Sequence, residues 1–259
     1  MRFFMKGNIT KAIAGLALML TLVACKPKDD GNDDVVTAGL LYLVDQTSGN
    51  CAMVTRTSST LYSAQLNVIP KGGCNQATLT GSTLADATVL TQGKYDTAIT
   101  LATSLGCNST TITNLTNSKN NVATTNSTAA AQTAFDTTAE KTRFYPIADL
   151  RAEGIAPFKV MLGALGFSEA EILALNLLDV NLFKNLNYTS LIATAAASAT
   201  DTACVTAVTN KIATDFSGVL MLDATANTKA KISKLAVGAC TYGSSSTATN
   251  TCATLNTQF

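Results

Sequence analysis

Alternating polar and apolar positions early in the chain predict a β-hairpin over residues 51–69. The positions that alternate with polar neighbours are Cys51, Met53, Thr55, Leu66 and Val68. A repeat of two residues is the spacing of a strand that buries one face. A Thr-Ser-Ser-Thr stretch lies between the two strands, and a Pro-Lys-Gly-Gly turn over residues 70–73 closes the hairpin.

Farther along the chain, the hydrophobic repeat lengthens to the spacing of helices. Residues 84–105 place five side chains on one helical face: Tyr95, Ala98, Ile99, Ala102 and Leu105. Gly106 stands where a C′ glycine would end this helix. Residues 129–141 are a further predicted helix. The apolar run over residues 35–44 fits a short helix or a buried strand equally well.

The clearest helix start in the sequence lies at Ser168. Ser168 and Glu171 have the spacing of a capping box, in which each side chain accepts a hydrogen bond from the other residue's main-chain N–H. Phe167 precedes the box and can pack on Ile172 as a hydrophobic staple. The apolar residues of the predicted helix are Ile172, Leu173, Leu175 and Leu178.

Two more helices are predicted in the last quarter of the chain. Residues 201–216 carry an apolar stripe beside Cys204, and its members are Val205, Val208, Ile212 and Phe216. Residues 224–237 are the last predicted helix.

Earlier in the chain, residues 144–146 (Phe-Tyr-Pro) are interpreted as a helix end that exposes two aromatic rings.

These patterns predict a mostly helical α+β fold with a small β-hairpin element near the start of the mature domain. Residues 35–259 are expected to form a single globular domain, with apolar runs within residues 147–191 as its core. Residues 108–128 are rich in Asn, Thr and Ser, so they predict an exposed loop and a candidate internal boundary.

The cysteines add a set of covalent links to this picture. Six of the seven lie in the expected domain: Cys51, Cys74, Cys107, Cys204, Cys240 and Cys252. An even set predicts three disulfides if the chain is exported, and the first 25 residues predict export. Metal binding is the alternative, but the chain has no Cys-x-x-Cys pair and no histidine.

Six cysteines allow many pairings, and spacing favours one of them. Cys51–Cys74 and Cys240–Cys252 each bracket a short, turn-rich segment, and the second pair would pin a Ser/Thr/Gly loop over residues 241–250. Cys107–Cys204 then remains as a long-range disulfide that closes a large loop.

The first 25 residues have the pattern of an export signal. Three basic residues precede an uncharged apolar run over residues 12–24, which is shorter than the ~20 residues that span a bilayer. The run ends in Leu22-Val23-Ala24-Cys25. These four residues resemble the lipobox of bacterial lipoproteins. The resemblance implies that residues 1–24 are a signal peptide and that fatty acid of the palmitate type, carried on Cys25, anchors the mature chain in a membrane.

The residues after Cys25 bear on the destination of the chain. Lys26 stands where inner-membrane lipoproteins of enteric bacteria carry Asp, which favours the outer membrane and leaves its periplasmic or surface face open. Residues 25–34 are the expected charged tether. With its sparse charge and its Ala-, Thr-, Ser- and Asn-rich body, the chain also resembles the surface lipoproteins of diderm bacteria such as spirochaetes.

Composition excludes several functional classes. From residue 35 onward the chain has 13 basic and 13 acidic residues and no basic run, which argues against nucleic-acid binding. The absence of histidine excludes Ser-His-Asp and Cys-His catalysis. We therefore expect no catalytic residue, no metal site, no cofactor and no enzymatic activity. The pairs interpreted as exposed surface pairs are Glu140 with Arg143, and Asp149 with Arg151 or Glu153.

Two hypotheses about function follow. The first is a non-enzymatic envelope lipoprotein that acts by binding or adhesion to an unidentified protein or host partner. The alternative is a periplasm-facing module that binds or processes a small ligand. A concave apolar pocket would favour the second hypothesis, and a domain without a pocket would favour the first.

Overall fold

A computed structural model describes most of the chain after residue 49. The described residues are 50–67, 69, 71–147, 150–178, 180–236, 238–247, 251–256 and 259. The expected signal peptide, Cys25, the tether and the apolar run over residues 35–44 lie outside the described residues.

The described residues form short strands and mostly longer helices. The strands are β1 (Asn50–Arg56), β2 (Tyr62–Asn67), β3 (Thr142–Ile147), β4 (Asn176–Leu177), β5 (Val219–Leu220), β6 (Lys234–Leu235) and β7 (Ala239–Tyr242). The α-helices are α1 (Gln76–Leu79), α2 (Leu84–Ser104), α3 (Ser109–Asn126), α4 (Ala129–Glu140), α5 (Leu150–Ile155), α6 (Lys159–Ala164), α7 (Glu169–Ala174), α8 (Val180–Ser198) and α9 (Thr202–Asp215). Lys71–Gly73 and Ala156–Phe158 are short 3₁₀ helices.

The predicted hairpin forms the centre of a four-stranded antiparallel sheet. β1 and β2 pair from Cys51 opposite Asn67 to Arg56 opposite Tyr62, which confirms the hairpin. β3 pairs with the free edge of β1, and β7 pairs with the free edge of β2. The core on one face of this sheet includes Leu66, which is fully buried.

Residues 144–146 belong to β3, so their interpretation as a helix end is wrong. Successive strand residues point to opposite faces. Phe144 accordingly packs beside the buried Cys51 and Cys74, whereas Tyr145 packs against the core on the other face. Pro146 has no N–H to donate, which is tolerated because β3 is an edge strand of the sheet.

A helical layer forms around α2, α3, α8 and α9. Ala98, Ala102 and Ala196 are fully buried between these helices. Such small side chains allow helix backbones to approach closely. The predicted helices over residues 84–105 and 201–216 are confirmed as α2 and α9, and the one over residues 129–141 is confirmed as α4.

The prediction of an exposed loop over residues 108–128 is wrong, because most of this stretch forms α3. Asn108 caps the helix by accepting a hydrogen bond from the N–H of Thr111. Thr111 and Leu115 lie one turn apart and are buried. Tertiary packing therefore stabilises a helix whose outer face is almost entirely polar.

The predicted helix over residues 224–237 is also wrong. The Asp223 carboxylate accepts hydrogen bonds from Gly218 N and Thr225 N, and these turn-forming bonds compete with helix formation. The later part of the segment contributes β6, which pairs in parallel with β4 and β5. Leu235 of β6 is fully buried.

The capping box at Ser168 and Glu171 is confirmed, but the helix that follows is short. α7 ends at Ala174, and Leu175 has an extended backbone. The N–H of Leu178 donates to Leu235, so this end of the predicted helix joins the small parallel sheet instead.

Three disulfides link the described residues: Cys51–Cys74, Cys107–Cys204 and Cys240–Cys252, with S–S distances of 2.02, 1.97 and 2.11 Å. This is the pairing that the spacing favours. The described residues all belong to one compact unit. The fold is thus a mostly helical α+β domain stapled by disulfides. Within the described part of the chain, none of the helices combines the length and apolarity that a bilayer-spanning segment needs.

Candidate functional site

The candidate site is a cleft of about 580 Å³ between α2, α8 and the segment that leads into α1, named here the α2–α8 cleft. Its apolar walls include Ile69, Leu79 and Leu90. Most of its exposed lining area is apolar, and its volume is within the range of ~300–1,000 Å³ that is usual for small-molecule sites.

Val89 is the most exposed part of the apolar wall. It is 68% exposed and lies beside Leu90 on the face of α2 that borders the cleft. Single exposed aliphatic side chains are common on protein surfaces. Val89 differs from these because it belongs to a concave apolar surface, where a ligand could cover it.

Two lysines add positive charge to the same cleft. Lys94 lies on α2 and Lys184 lies on α8, with Tyr188 one turn beyond Lys184. Neither ammonium group has a hydrogen bond or an ion pair with any residue that the structure describes. Among the described residues that line the cleft, none is acidic.

Four lysines elsewhere in the described part of the domain are neutralised by carboxylates. Ion pairs join Lys119 to Asp96, Lys159 to Glu169, Lys211 to Asp215 and Lys229 to Glu171, with N–O distances from 2.5 to 2.8 Å. The cleft thus differs from these surfaces in holding two cations without a neutralising group.

Gly93 is an unusual choice for its position in the middle of α2. A glycine within a helix costs roughly 0.5–1 kcal/mol relative to alanine. A Cβ added at Gly93 would meet nothing within 4 Å, so no close packing requires glycine there. Because Gly93 lines the cleft, the missing side chain leaves the cleft wider.

The Cys51–Cys74 disulfide supports one wall of the cleft. Cys74 is adjacent to Gly73, which lines the cleft, and both cysteines pack with Ile69 and Leu79 in one buried cluster. The disulfide therefore ties this wall to β1 of the sheet.

All six cysteines that the sequence predicts to form disulfides do so, and a cysteine in a disulfide has no thiolate. Two groups of acid and cysteine side chains are close enough to suggest metal sites: Cys107 with Asp201 and Cys204, and Glu153 with Cys240 and Cys252. Their sulfur atoms are all in disulfides, so they offer no thiolate to a metal. Cys25, the predicted lipidation site, lies outside the described residues.

Glu153 is buried, so its interpretation as part of an exposed surface pair is wrong. Its carboxylate accepts hydrogen bonds from the N–H groups of Ala253, Thr254 and Leu255, at 2.7, 2.7 and 2.9 Å. The Thr254 hydroxyl donates a further hydrogen bond to it. Glu153 thus binds the C-terminal segment and has a structural role that sequence spacing did not indicate.

Arg143 contacts Glu140 through the main-chain carbonyl of Glu140, whereas the predicted pair would use the Glu140 carboxylate. The Arg143 guanidinium donates to the main-chain carbonyls of Ala139, Glu140 and Thr142. Its Cζ also lies 5.1 Å from the centre of the Phe259 ring, and Arg56 lies at 5.0 Å from the same ring.

Tyrosines close to Phe259 pack on the sheet. Tyr62 and Tyr242 stack with ring centres 5.0 Å apart, and Phe259 tilts against Tyr62. Burial, together with repulsion from the nearby Tyr145 and Tyr62, raises the pKa of Tyr242 to about 12. Tyr242 therefore stays neutral and serves as a core residue.

Asp201 joins two helices of the helical layer. Its carboxylate caps α9 through Cys204 N and accepts hydrogen bonds from Asn108 N and the Thr111 hydroxyl at the start of α3. The hydrogen bond from Asn108 N lowers the pKa of Asp201 most, against the opposing effect of burial.

Comparison of the chain with protein-family models, with curated proteins and with solved structures finds no match.

Proposed function

We propose that this protein is a lipid-anchored envelope protein that binds a small, largely apolar ligand in the α2–α8 cleft. The cleft is the observation that carries the proposal, because apolar walls with a few polar groups are the usual composition of a small-molecule site. A concave apolar surface favours the ligand-binding hypothesis over adhesion to a protein partner.

Binding without a chemical step fits the groups at the site. The described lining residues include no carboxylate that could act as a general acid or base. The described cysteines are oxidised, so they are not nucleophiles.

Two independent features support the proposed location. Disulfides persist in oxidising compartments outside the cytoplasm, and this domain contains three of them. The lipobox that ends at Cys25 supplies the anchor, and Lys26 favours the outer membrane. The cleft would then meet ligands of the envelope or of the surroundings.

The anchor is tested by metabolic labelling. Cells that express the full chain in a diderm bacterium are grown with labelled palmitate, and the protein is recovered by affinity capture. We expect label on the wild-type protein and on Lys26→Ser, and none on Cys25→Ser. Unlabelled wild-type protein, or label retained by Cys25→Ser, would contradict the proposed anchor.

The binding site is tested with an uncharged solvatochromic dye such as Nile red in detergent-free buffer. We expect saturable binding that Val89→Glu weakens at least about tenfold, because the substitution puts a charge into the apolar wall. Val160→Glu is the matched control, since Val160 is 77% exposed and does not line the cleft. Absence of saturable binding, or equal weakening by both variants, would reject the cleft as the site.

A further inference from the structure

We infer that the ligand of the α2–α8 cleft is a single-chain amphiphile with an anionic head, of the long-chain carboxylate type. The inference rests on the proposed function and adds the chemical class of the ligand. Its basis is the combination of an apolar concave wall with two cations that lack a neutralising group.

The two lysines define the position of the head. Lys94 and Lys184 project from different helices that border the same cleft. No carboxylate lines the cleft among the described residues, so an anionic head would meet two exposed ammonium groups and no competing negative charge. A carboxylate head accepts charge-assisted hydrogen bonds from ammonium groups, which an alcohol accepts more weakly and a quaternary ammonium head cannot accept.

The hydrophobic residues define the position of the chain. Val89 and Leu90 precede Lys94 by about one helical turn, so the apolar wall begins directly beside a cation. Leu79 and Ile69 extend this wall on the other side of the cleft. An alkyl chain that extends away from its head along this surface gains about fourfold in affinity for each methylene that it buries.

Gly93 separates the two parts of the site. It lies between the apolar pair and Lys94 on the same border of α2, and a side chain there would enter open space. Glycine at this position keeps the path from head to chain clear. An amphiphile that contacts both parts needs this path, whereas a ligand confined to one of them does not.

The head is tested with three ligands that share one chain length: dodecanoate, dodecanol and dodecyltrimethylammonium. Each competes with Nile red for the full-length protein, below the concentration at which the ligand self-associates. We expect dodecanoate to bind tightest and the ammonium compound weakest. The preference for dodecanoate over dodecanol should shrink as salt is added, because the charges are exposed to solvent.

Lysine variants locate the head. Methionine keeps most of the apolar stem and removes the charge, so Lys94→Met and Lys184→Met should each weaken dodecanoate binding about two- to fivefold. Dodecanol binding should be unaffected, so the double variant should bind both ligands alike. Lys159→Met is the control for a lysine outside the cleft.

A glycine variant tests the path of the chain. Gly93→Leu should fill the cleft and abolish dodecanoate binding while leaving the helix at least as stable, since leucine is a strong helix former. Gly163→Leu, in a helix that does not line the cleft, should leave binding unchanged.

The outcomes separate the inference from the proposed function. If dodecanol binds as tightly as dodecanoate, or if the double lysine variant keeps the preference, the anionic head is rejected while the cleft remains a ligand site. If Nile red and all three amphiphiles fail to bind, the proposed function fails and the inference with it.

Discussion

The Glu153 carboxylate shows how one residue can hold a distant segment. Its four hydrogen-bond donors belong to residues 253–255, about a hundred positions later in the chain. Local spacing places Glu153 in a surface pair with the nearby Asp149 and therefore predicts an exposed residue. The carboxylate is fully buried instead, because its partners come from a distant part of the sequence.

We expect Glu153→Gln to lower the free energy of unfolding by at least about 2 kcal/mol. The substitution replaces one carboxylate oxygen by an NH₂ group that faces N–H donors, which leaves buried donors without acceptors. Urea unfolding at neutral pH measures the change. Glu140→Gln is the matched control, since Glu140 is exposed and should change stability by no more than about 0.5 kcal/mol. Equal effects of the two variants would show that the buried hydrogen bonds contribute little.

At the scale of elements, the sequence predicts best where a helix carries its own start and end signals. α2 has a capping box at Thr83 and Asp86, and Gly106 beyond its last turn has a φ of 76°. α3 has a cap at Asn108 but buries only a narrow stripe, and its polar surface resembles a loop. Its helical state depends on packing against α2 and α8, which composition does not encode.

The prediction for the segment after α9 is wrong in the opposite direction, because a helix is predicted where the described residues form none. Residues 224–237 are predicted to be a helix, but the Asp223 carboxylate accepts hydrogen bonds from nearby main-chain N–H groups and forms a turn. Strand β6 then finds its partners in β4 and β5, which lie earlier in the chain. Hydrogen bonds between distant segments thus override a helix prediction from local sequence.

Asp201 connects α3 and α9, so its ionisation should affect how well these helices hold together. Its pKa in the folded state lies below the ordinary value of 3.8, so the carboxylate stabilises the fold fully above that pH. The contribution is lost as the pH falls through the lowered folded-state pKa. We expect wild type to be more stable than Asp201→Asn at neutral pH, and the difference to narrow below pH 3.8.

Urea unfolding of both proteins across the acidic range measures this difference. Glu169, Glu171 and Asp223 also have a lowered pKa, but they are unchanged in the variant and their effects cancel in the comparison. The difference in the free energy of unfolding between wild type and Asp201→Asn could instead stay constant from neutral pH to well below 3.8. That result would show that the charge of Asp201 does not stabilise the fold.

On the scale of the whole molecule, the cleft is the feature that the sequence could not indicate. Its lining comes from residues 69–79, 89–94 and 184–188, and each segment alone has the pattern of an ordinary surface or core element. Tertiary packing alone brings Lys94 and Lys184 to one cleft. The disulfide framework, in contrast, follows from cysteine number and spacing, because short loops limit the plausible partners.

The disulfides should contribute unequally to the stability of the whole domain. Cys107–Cys204 spans a sequence separation of 97 residues and Cys240–Cys252 one of 12. In the chain-entropy account, a loop of 100 residues gives about 4.7 kcal/mol and one of 15 residues about 3 kcal/mol. Cys204, Cys240 and Cys252 are buried and Cys107 is half-buried, so the cavity left by alanine should be no larger at Cys107–Cys204 than at Cys240–Cys252.

We therefore expect Cys107→Ala/Cys204→Ala to lower the free energy of unfolding by about 1–2 kcal/mol more than Cys240→Ala/Cys252→Ala. Urea unfolding of the two double variants under identical conditions measures the difference, and the slope of each transition reports whether the unfolded chain has expanded. Removal of Cys107–Cys204 should make the unfolding free energy depend more steeply on urea concentration than removal of Cys240–Cys252 does. The reason is that Cys107–Cys204 closes the longer loop and restricts the unfolded chain more. If the short-loop variant is the less stable of the two, the Cys240–Cys252 link acts through the folded state, where Glu153 binds the residues that follow Cys252.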